Sequence, residues 1–270
     1  MGHVEVDAGV RLFVQDVGAG PTVVLLAGLG MHHEVWDREV RLLAESHRVL
    51  CVDVRGHGLS DKPLHGYEVE RLTADVRAVL RALEVDRCAV VGWSFGGQIG
   101  FHLAAAYPGL VERLVLVGSN AVRATRSEEF PFGRRAESLE AALVGAEERD
   151  RVAARRTTIA SGIAAEVDPH VLDWLVSSSL RMPSWSAIAC YRSMIHSDLM
   201  EDLPKIGVPV LQIVGEADPV HPADGARWLN ERLADARIVE LPGCGHYPMV
   251  EAPEEFDGAL RDFLSEVVTP

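Results

Sequence analysis

Three side chains in this sequence have the types and settings that nucleophilic acyl chemistry requires. The first is Ser94, in Gly92-Trp93-Ser94-Phe95-Gly96, which fits the pattern G-x-S-x-G. A β-branched run, Arg87–Val91, precedes it, and a helical stretch, Ser94–Tyr107, carries on to Pro108. A tight strand-to-helix turn forces the serine into a strained backbone conformation, and the flanking glycines leave room for it. The hydroxyl then stands at a helix N-terminus, where the unpaired N–H of Phe95 and the positive end of the dipole face any developing oxyanion. Gly96, Gly97 and Gly100 let the same helix approach the sheet closely.

Serine attacks only when a base takes its proton. Among the 11 histidines, His246 stands apart. In Gly243-Cys244-Gly245-His246-Tyr247-Pro248 it follows the strand-like run Arg237–Leu241, at the edge where α/β sheets gather their sites. His47, His65 and His102 lie in or beside helical stretches that suit a surface role. The base needs a carboxylate to hold its tautomer and stabilise imidazolium. Asp218 fits, since Val214-Gly215-Glu216-Ala217-Asp218-Pro219-Val220 follows a strand, and Pro219 biases Asp218 toward an extended conformation. Glu216, two residues earlier, is the rival acid.

The elements that must position these groups alternate. Val4–Val6, Arg11–Val17, Val23–Ala27 and Arg48–Val54 are strand-like, the third a continuous apolar run of the kind buried on both faces. Leu72, Val76, Val79, Leu80 and Leu83 make a helical stripe within Glu68–Leu83. Strand Arg113–Gly118 follows, and the pattern resumes with strand Val208–Val214, a helix through Leu233, strand Arg237–Leu241 and helix Pro253–Val267. From Ala121 to Asp202 strands are missing and only helices and loops are expected. The succession predicts an α/β protein, a mostly parallel eight-stranded sheet with helices on both faces, interrupted by a helical insertion. Residues 1–121 and 203–270 form the expected core and 122–202 the helical cap, since a structureless loop of about 80 residues would be implausible.

Composition narrows the function. There are 26 basic and 40 acidic residues, a net charge of −14 that repels phosphate backbones and anionic membranes. Nucleic acid and membrane are therefore not expected as partners. The stretch Pro21–Met31 is too short and too rich in glycine to span a bilayer, and no basic, apolar leader opens the chain. Four scattered cysteines (Cys51, Cys88, Cys190, Cys244) form no C-x-x-C pair, so free thiols in a reducing cytoplasm are expected, with no metal and no cofactor.

Ser94, Asp218 and His246, in that chain order and each after a strand, make the sequence resemble the α/β-hydrolase fold superfamily from about Val10 to Leu264. It is similar to the serine-nucleophile branch of 3-oxoadipate enol-lactonases and small carboxylesterases. The resemblance implies a second oxyanion donor after the third strand. In Leu26-Ala27-Gly28-Leu29-Gly30-Met31 that donor is the Leu29 N–H, with Ala27 where the family usually has a loop-organising histidine. Asp53-Val54-Arg55-Gly56-His57-Gly58-Leu59-Ser60 matches the family's structural loop after the fourth strand. A serine at position 94 sets aside the epoxide hydrolases and haloalkane dehalogenases, whose nucleophile is aspartate.

The resemblance implies hydrolysis of a small-to-medium carboxylic ester or lactone through an acyl-enzyme on Ser94. A second reading keeps the triad for acyl transfer, perhydrolysis, C–C cleavage or elimination. A third is a ligand-binding relative without turnover, against which an intact triad speaks. The substrate pocket is expected between the strand ends and the cap, lined near Ser94 by Leu29, Met31, Trp93, Phe95, Val220 and Tyr247. From the cap Trp185 is the expected contact, with Phe130, Phe132, Trp174, Met182, Tyr191 and Met194 as further candidates. His32 and His33 are read as a solvated helix start. Arg123–Arg156, with eight arginines among seven acids, is read as a mixed solvated face.

Overall fold

The β-branched runs become eight strands of one sheet in the computed structural model, which describes residues 1–266. In chain order these are β1 (Gly2–Asp7), β2 (Val10–Gly18), β3 (Thr22–Leu26), α1 (Asp37–Leu43), β4 (Arg48–Val52), α2 (Val69–Ala82), β5 (Cys88–Trp93), α3 (Phe95–Ala106) and β6 (Val111–Val117). Four helices follow, α4 (Ala136–Arg149), α5 (Arg151–Gly162), α6 (Pro169–Ser179) and α7 (Ser184–His196). The chain then returns to the sheet with β7 (Val210–Gly215), α8 (Ala223–Asn230), β8 (Ala236–Leu241), α9 (Pro248–Glu251) and α10 (Pro253–Ser265). Val267, the expected last residue of the final helix, lies outside the described residues.

The strands lie in the order β1-β2-β4-β3-β5-β6-β7-β8. Only β1–β2 and β2–β4 pair antiparallel, so the expected α/β class with a mostly parallel sheet is borne out. Alternation explains the two faces. Val24 and Leu26 of β3 point into one hydrophobic cluster with Val90, Ile99 and Leu114, covered by α2 and α3. Val23 and Leu25 point into the other with Val91, Val115, Trp36 and Phe256, covered by α1 and α10. Each such buried aliphatic side chain contributes about 1.5–3 kcal/mol. The α2 stripe buries Leu72, Val76, Val79 and Leu80.

The chain order reverses direction where β3 sits between β4 and β5, the kind of switch point at which open α/β sheets place their ligands. Leu26 is level with Gly92 across β3 and β5, which brings the loop after β3 beside the turn after β5. Helices α4–α7 fill the span between β6 and β7. Among the described residues no helix is long and apolar enough to cross a membrane.

The solvated-face expectation for Arg123–Arg156 holds at Arg126, Arg134, Arg135, Arg149 and Arg156, which are exposed, and fails within the helical layer at Arg155. Arg155 and Glu147 are both buried in it, joined by Nε–Oε2 at 3.1 Å and Nη2–Oε1 at 2.6 Å. Ser184 Oγ also donates to Glu147, and Arg155 donates to the Ser179 carbonyl. Phe130 and Phe132 pack beside Trp228 of α8, so they serve the core and leave the pocket to other side chains.

Candidate active site

Ser94 occupies a left-handed conformation, φ 54° and ψ −117°, at the turn between β5 and α3. An L-residue holds such a conformation only where its surroundings over-determine it. Here Ser94 N–H donates to Val117 O at 2.9 Å, while its carbonyl accepts from Gly97 N (2.9 Å) and Ser119 Oγ (2.8 Å). A Cβ on Gly92 would clash with the Gly96 carbonyl, and one on Gly96 with the Leu26 carbonyl. Glycine is therefore required on both sides of the serine. The helix begins at Phe95, one residue later than the sequence pattern placed it, which leaves Ser94 outside the helix with its hydroxyl free.

The structure brings Ser94, His246 and Asp218 together. His246 Nε2 lies 3.0 Å from Ser94 Oγ, and His246 Nδ1 lies 2.8 Å from Asp218 Oδ2. The three are 6%, 6% and 5% exposed. Asp218 Oδ1 accepts the N–H groups of Val220 (2.7 Å) and His221 (3.0 Å), which aims Oδ2 at the imidazole. Burial pushes the Asp218 carboxyl up, but the charge and hydrogen bond of His246, with His221 behind them, hold it below the ordinary carboxylate value. It is thus ionised when His246 needs a counter-charge. Glu216, the rival acid, is exposed.

Two further groups hold His246. Its N–H donates to Gly162 O at 2.8 Å, and its carbonyl accepts from Trp93 Nε1 at 2.8 Å. Glu251 then clamps the loop: Oε1 accepts from Tyr247 N, while Oε2 accepts from Gly245, Ala164 and Ala165 N, all within 2.8–2.9 Å. One carboxylate thereby ties the histidine loop to the segment after α5. Sequence reasoning missed Glu251, because an acid at a short helix end gives no sign that four amides converge on it.

Leu29 and Phe95 both keep backbone amides without a protein acceptor among the described residues. Phe95 is the first residue of α3, so its N–H has no intrahelical carbonyl. Among the described residues no protein acceptor takes the Leu29 N–H. A Cβ on Gly28 would stand 3.2 Å from Ser94 Cβ, which shows how closely this loop passes the serine. The loop is braced from behind by Asp53, which accepts from His33 N (2.7 Å) and Leu59 N (2.9 Å) and bonds His33 Nδ1. His32 and His33 are accordingly buried, which corrects the expectation of a solvated helix start. His32, His33 and Glu34 offer ligand atoms within 4.8 Å of one another, but His33 Nδ1 is held by Asp53 and Glu34 pairs with Arg181.

A cavity of about 650 Å³ opens from Ser94 toward α4–α7. Leu29, Met31, Trp93, Val220 and Tyr247 line it near the serine. Met182, Tyr191 and Met194 line it from the helices. Trp185 does not: it is 51% exposed and its Nε1 donates to Lys62 O at 3.3 Å, on the outer side of α7. Trp174 likewise faces outward, and the Phe95 side chain is sunk in the core under α3. His221, which the sequence reading passed over, lines the cavity with its ring 5.5 Å from that of His246.

Residues 21–253 match the family model for the alpha/beta hydrolase fold. The chain is 33% identical, over 91% of its length and 96% of the relative's, to a pimeloyl-[acyl-carrier protein] methyl ester esterase of Nitrosomonas europaea. It superimposes on an esterase from Exiguobacterium antarcticum with TM-score 0.95 and 27% identity, covering 98% of this chain and 100% of the other. An enol-lactonase from Burkholderia xenovorans gives TM-score 0.88 and 27% identity over 98% and 100%. The fold, the matched residues and these relatives together make the chain a member of the α/β-hydrolase fold family, an enzyme of its esterase and lactonase branch.

Proposed function

We propose that this protein is a serine hydrolase that cleaves a small-to-medium carboxylic ester or lactone through an acyl-enzyme on Ser94. The observation that carries the reading is the relay Ser94 Oγ–His246 Nε2–His246 Nδ1–Asp218 Oδ2, at 3.0 and 2.8 Å, opening into a largely apolar cavity. Ser94 Oγ attacks the carbonyl carbon while His246 takes the hydroxyl proton. The carbonyl oxygen, now an anion, accepts from the Leu29 and Phe95 amides, which need no reorientation to meet it. The intermediate collapses and His246 returns the proton to the departing alkoxide. Water, deprotonated by His246, then attacks the acyl carbon and releases the acid and Ser94. Asp218 stays ionised throughout and holds the imidazolium.

Helices α4–α7 act in this reading as the cap that chooses the substrate, and Met31, Trp93, Val220 and Tyr247 hold it near the serine. The substrate is a small molecule; a net charge of −14 disfavours nucleic acid. Four buried free thiols are in keeping with action in the cytoplasm. The test is turnover of p-nitrophenyl esters and simple lactones by wild type and Ser94→Ala. We expect release of free acid and a loss of at least about 10⁴-fold in the variant. Turnover surviving in Ser94→Ala would show that the nucleophile lies elsewhere, and a transfer product in place of free acid would show a different acceptor from water.

A further inference from the structure

Buried hydroxyls in this protein are normally engaged. Tyr67, buried under the sheet edge, donates to Pro63 O at 2.5 Å and meets Ser186 Oγ at 2.7 Å. Tyr191 and Tyr247 break that habit. Both are more than nine-tenths buried and both line the cavity, yet neither hydroxyl has a partner among the described residues. Neither oxygen is sealed in the packing, and both side chains line the cavity. His221 repeats the pattern: it is 5% exposed, its Nδ1 is sealed without a partner, and its Nε2 bonds no protein atom. The rest of the lining is largely apolar, with Leu29, Met31, Ile159 and Met182.

An all-hydrocarbon substrate would leave the three polar ends desolvated and unmet, which is the expensive arrangement. We infer that the cavity is built for an ester or lactone that carries a second, neutral oxygen function, a ketone or hydroxyl, received by Tyr191, Tyr247 and His221. This inference deepens the ester-hydrolase reading and rests on it. The charge balance favours a neutral group over a second carboxylate. Arg155, the buried cation in the wall, is already paired with Glu147, and Arg134 and Arg149, which also line it, are exposed to water and share the lining with Asp150. Burial pushes the Tyr191 phenol up to about 12 and the His221 imidazole down to about 4, so both stay uncharged near neutral pH. Burial also raises the Tyr247 phenol.

The experiment compares kcat/KM for ethyl hexanoate, its 3-oxo, 5-oxo and 3-hydroxy forms, and monoethyl adipate, with hexyl acetate and 5-oxohexyl acetate reporting on the alcohol half. Wild type, Tyr191→Phe, Tyr247→Phe and His221→Leu are run side by side. The expected result is a preference of about 10-fold or more for at least one neutral oxygenated ester over its hydrocarbon match, falling toward unity in at least one variant. The half of the molecule that shows the preference tells where the handle sits. Equal rates on all matched pairs in wild type would overturn the inference while leaving Ser94-dependent hydrolysis intact. So would a preference for the adipate, or one that none of the three variants changes. Binding of the same esters to Ser94→Ala, followed by tryptophan fluorescence, gives the second readout. A matching 10-fold tighter binding of the oxygenated ester supports the inference even if wild type hydrolyses none of them, and equal binding overturns it.

Discussion

The loops at the carboxyl ends of the strands and the helical layer above them are built by different rules. In the loops a few backbone positions carry everything: Ser94 held at φ 54°, Gly92 and Gly96 where no Cβ fits, Asp218 with both oxygens committed. Above them, α4–α7 have no such fixed point. They present side chains from four helices to one cavity and are held together by apolar packing and a buried ion pair, Arg155–Glu147. On the proposed reading, chemistry resides in a few geometrically demanding residues, and substrate choice is spread over a surface. Mutations in the two regions should therefore fail differently, the first in rate with stability kept, the second in stability and selectivity.

The sharpest test after Ser94→Ala is Asp218→Asn. The carboxamide keeps the size and can still accept from Val220 and His221, but it no longer supplies charge to His246 or fixes its tautomer. We expect kcat to fall by about 10³–10⁴-fold with the unfolding midpoint nearly unchanged. A large loss of stability would mean that the loop is a structural element as much as a catalytic one. Glu251→Gln comes next. One oxygen becomes an NH₂ that cannot accept, so either the bond from Tyr247 N or, with the carboxamide flipped, those from Gly245, Ala164 and Ala165 N are lost, and His246 shifts while the triad remains complete. A displacement of about 1 Å costs on the order of 10²-fold in rate. Because Glu251 joins the histidine loop to the segment after α5, this variant sits on the border between the two regions.

Arg155→Met addresses the helical layer itself. It strands Glu147 as a buried charge, and we expect a loss of about 3–5 kcal/mol in stability. Turnover of a small ester should change by about 10-fold or less, since no triad atom moves. The double variant Arg155→Met with Glu147→Leu should recover most of the stability, because the cost lies in the unpaired charge. If the single variant instead abolishes turnover at a temperature where it is folded, the division between the regions is wrong.

That division also explains what could be read from the sequence. The nucleophile turn, the acid loop and the histidine loop were legible because their backbones exclude most residues and so leave glycine and proline in fixed places. The succession of strands and helices along the chain followed from β-branched runs alternating with helical stripes such as Leu72–Leu80. Trp185 was misplaced for the opposite reason: a tryptophan on α7 packs equally well from either side of the helix, and only the neighbouring Lys62 carbonyl shows that it faces outward. Arg155 and Glu147, eight residues apart on two helices, look like any solvated pair until the loop between α4 and α5 folds one helix onto the other. His221 lay three residues past Asp218 in plain view, but nothing in its spacing tells that its ring turns into the cavity.

The smallest expected effect on turnover comes from a residue in neither region. Glu39 of α1 is fully buried, with neither carboxylate oxygen bonded to any described residue. Burial raises its carboxyl from the usual 4.5 to about 8; the nearby amide of its own backbone and the Arg38 charge oppose the rise, while Asp257 and Asp37 add to it. Between those two values the unfolded chain has lost this proton while the folded chain keeps it. The folded state therefore binds more protons, and stability falls as pH climbs through that window, levelling off above it. At 1.36 kcal/mol per pKa unit the full loss is on the order of 5 kcal/mol. Glu39→Gln removes the titration without adding a charge, so its gain over wild type should be near zero at pH 4.5 and reach on the order of 4–5 kcal/mol by pH 8.5. Urea unfolding at a series of pH values measures it, with ester turnover followed in parallel. A variant that gains stability at pH 8.5 and keeps its rate would show that the sheet's support can be strengthened independently of the strand-end loops. A variant whose rate falls as its stability rises would tie α1, through the Trp36–Trp93 contact, to the serine turn.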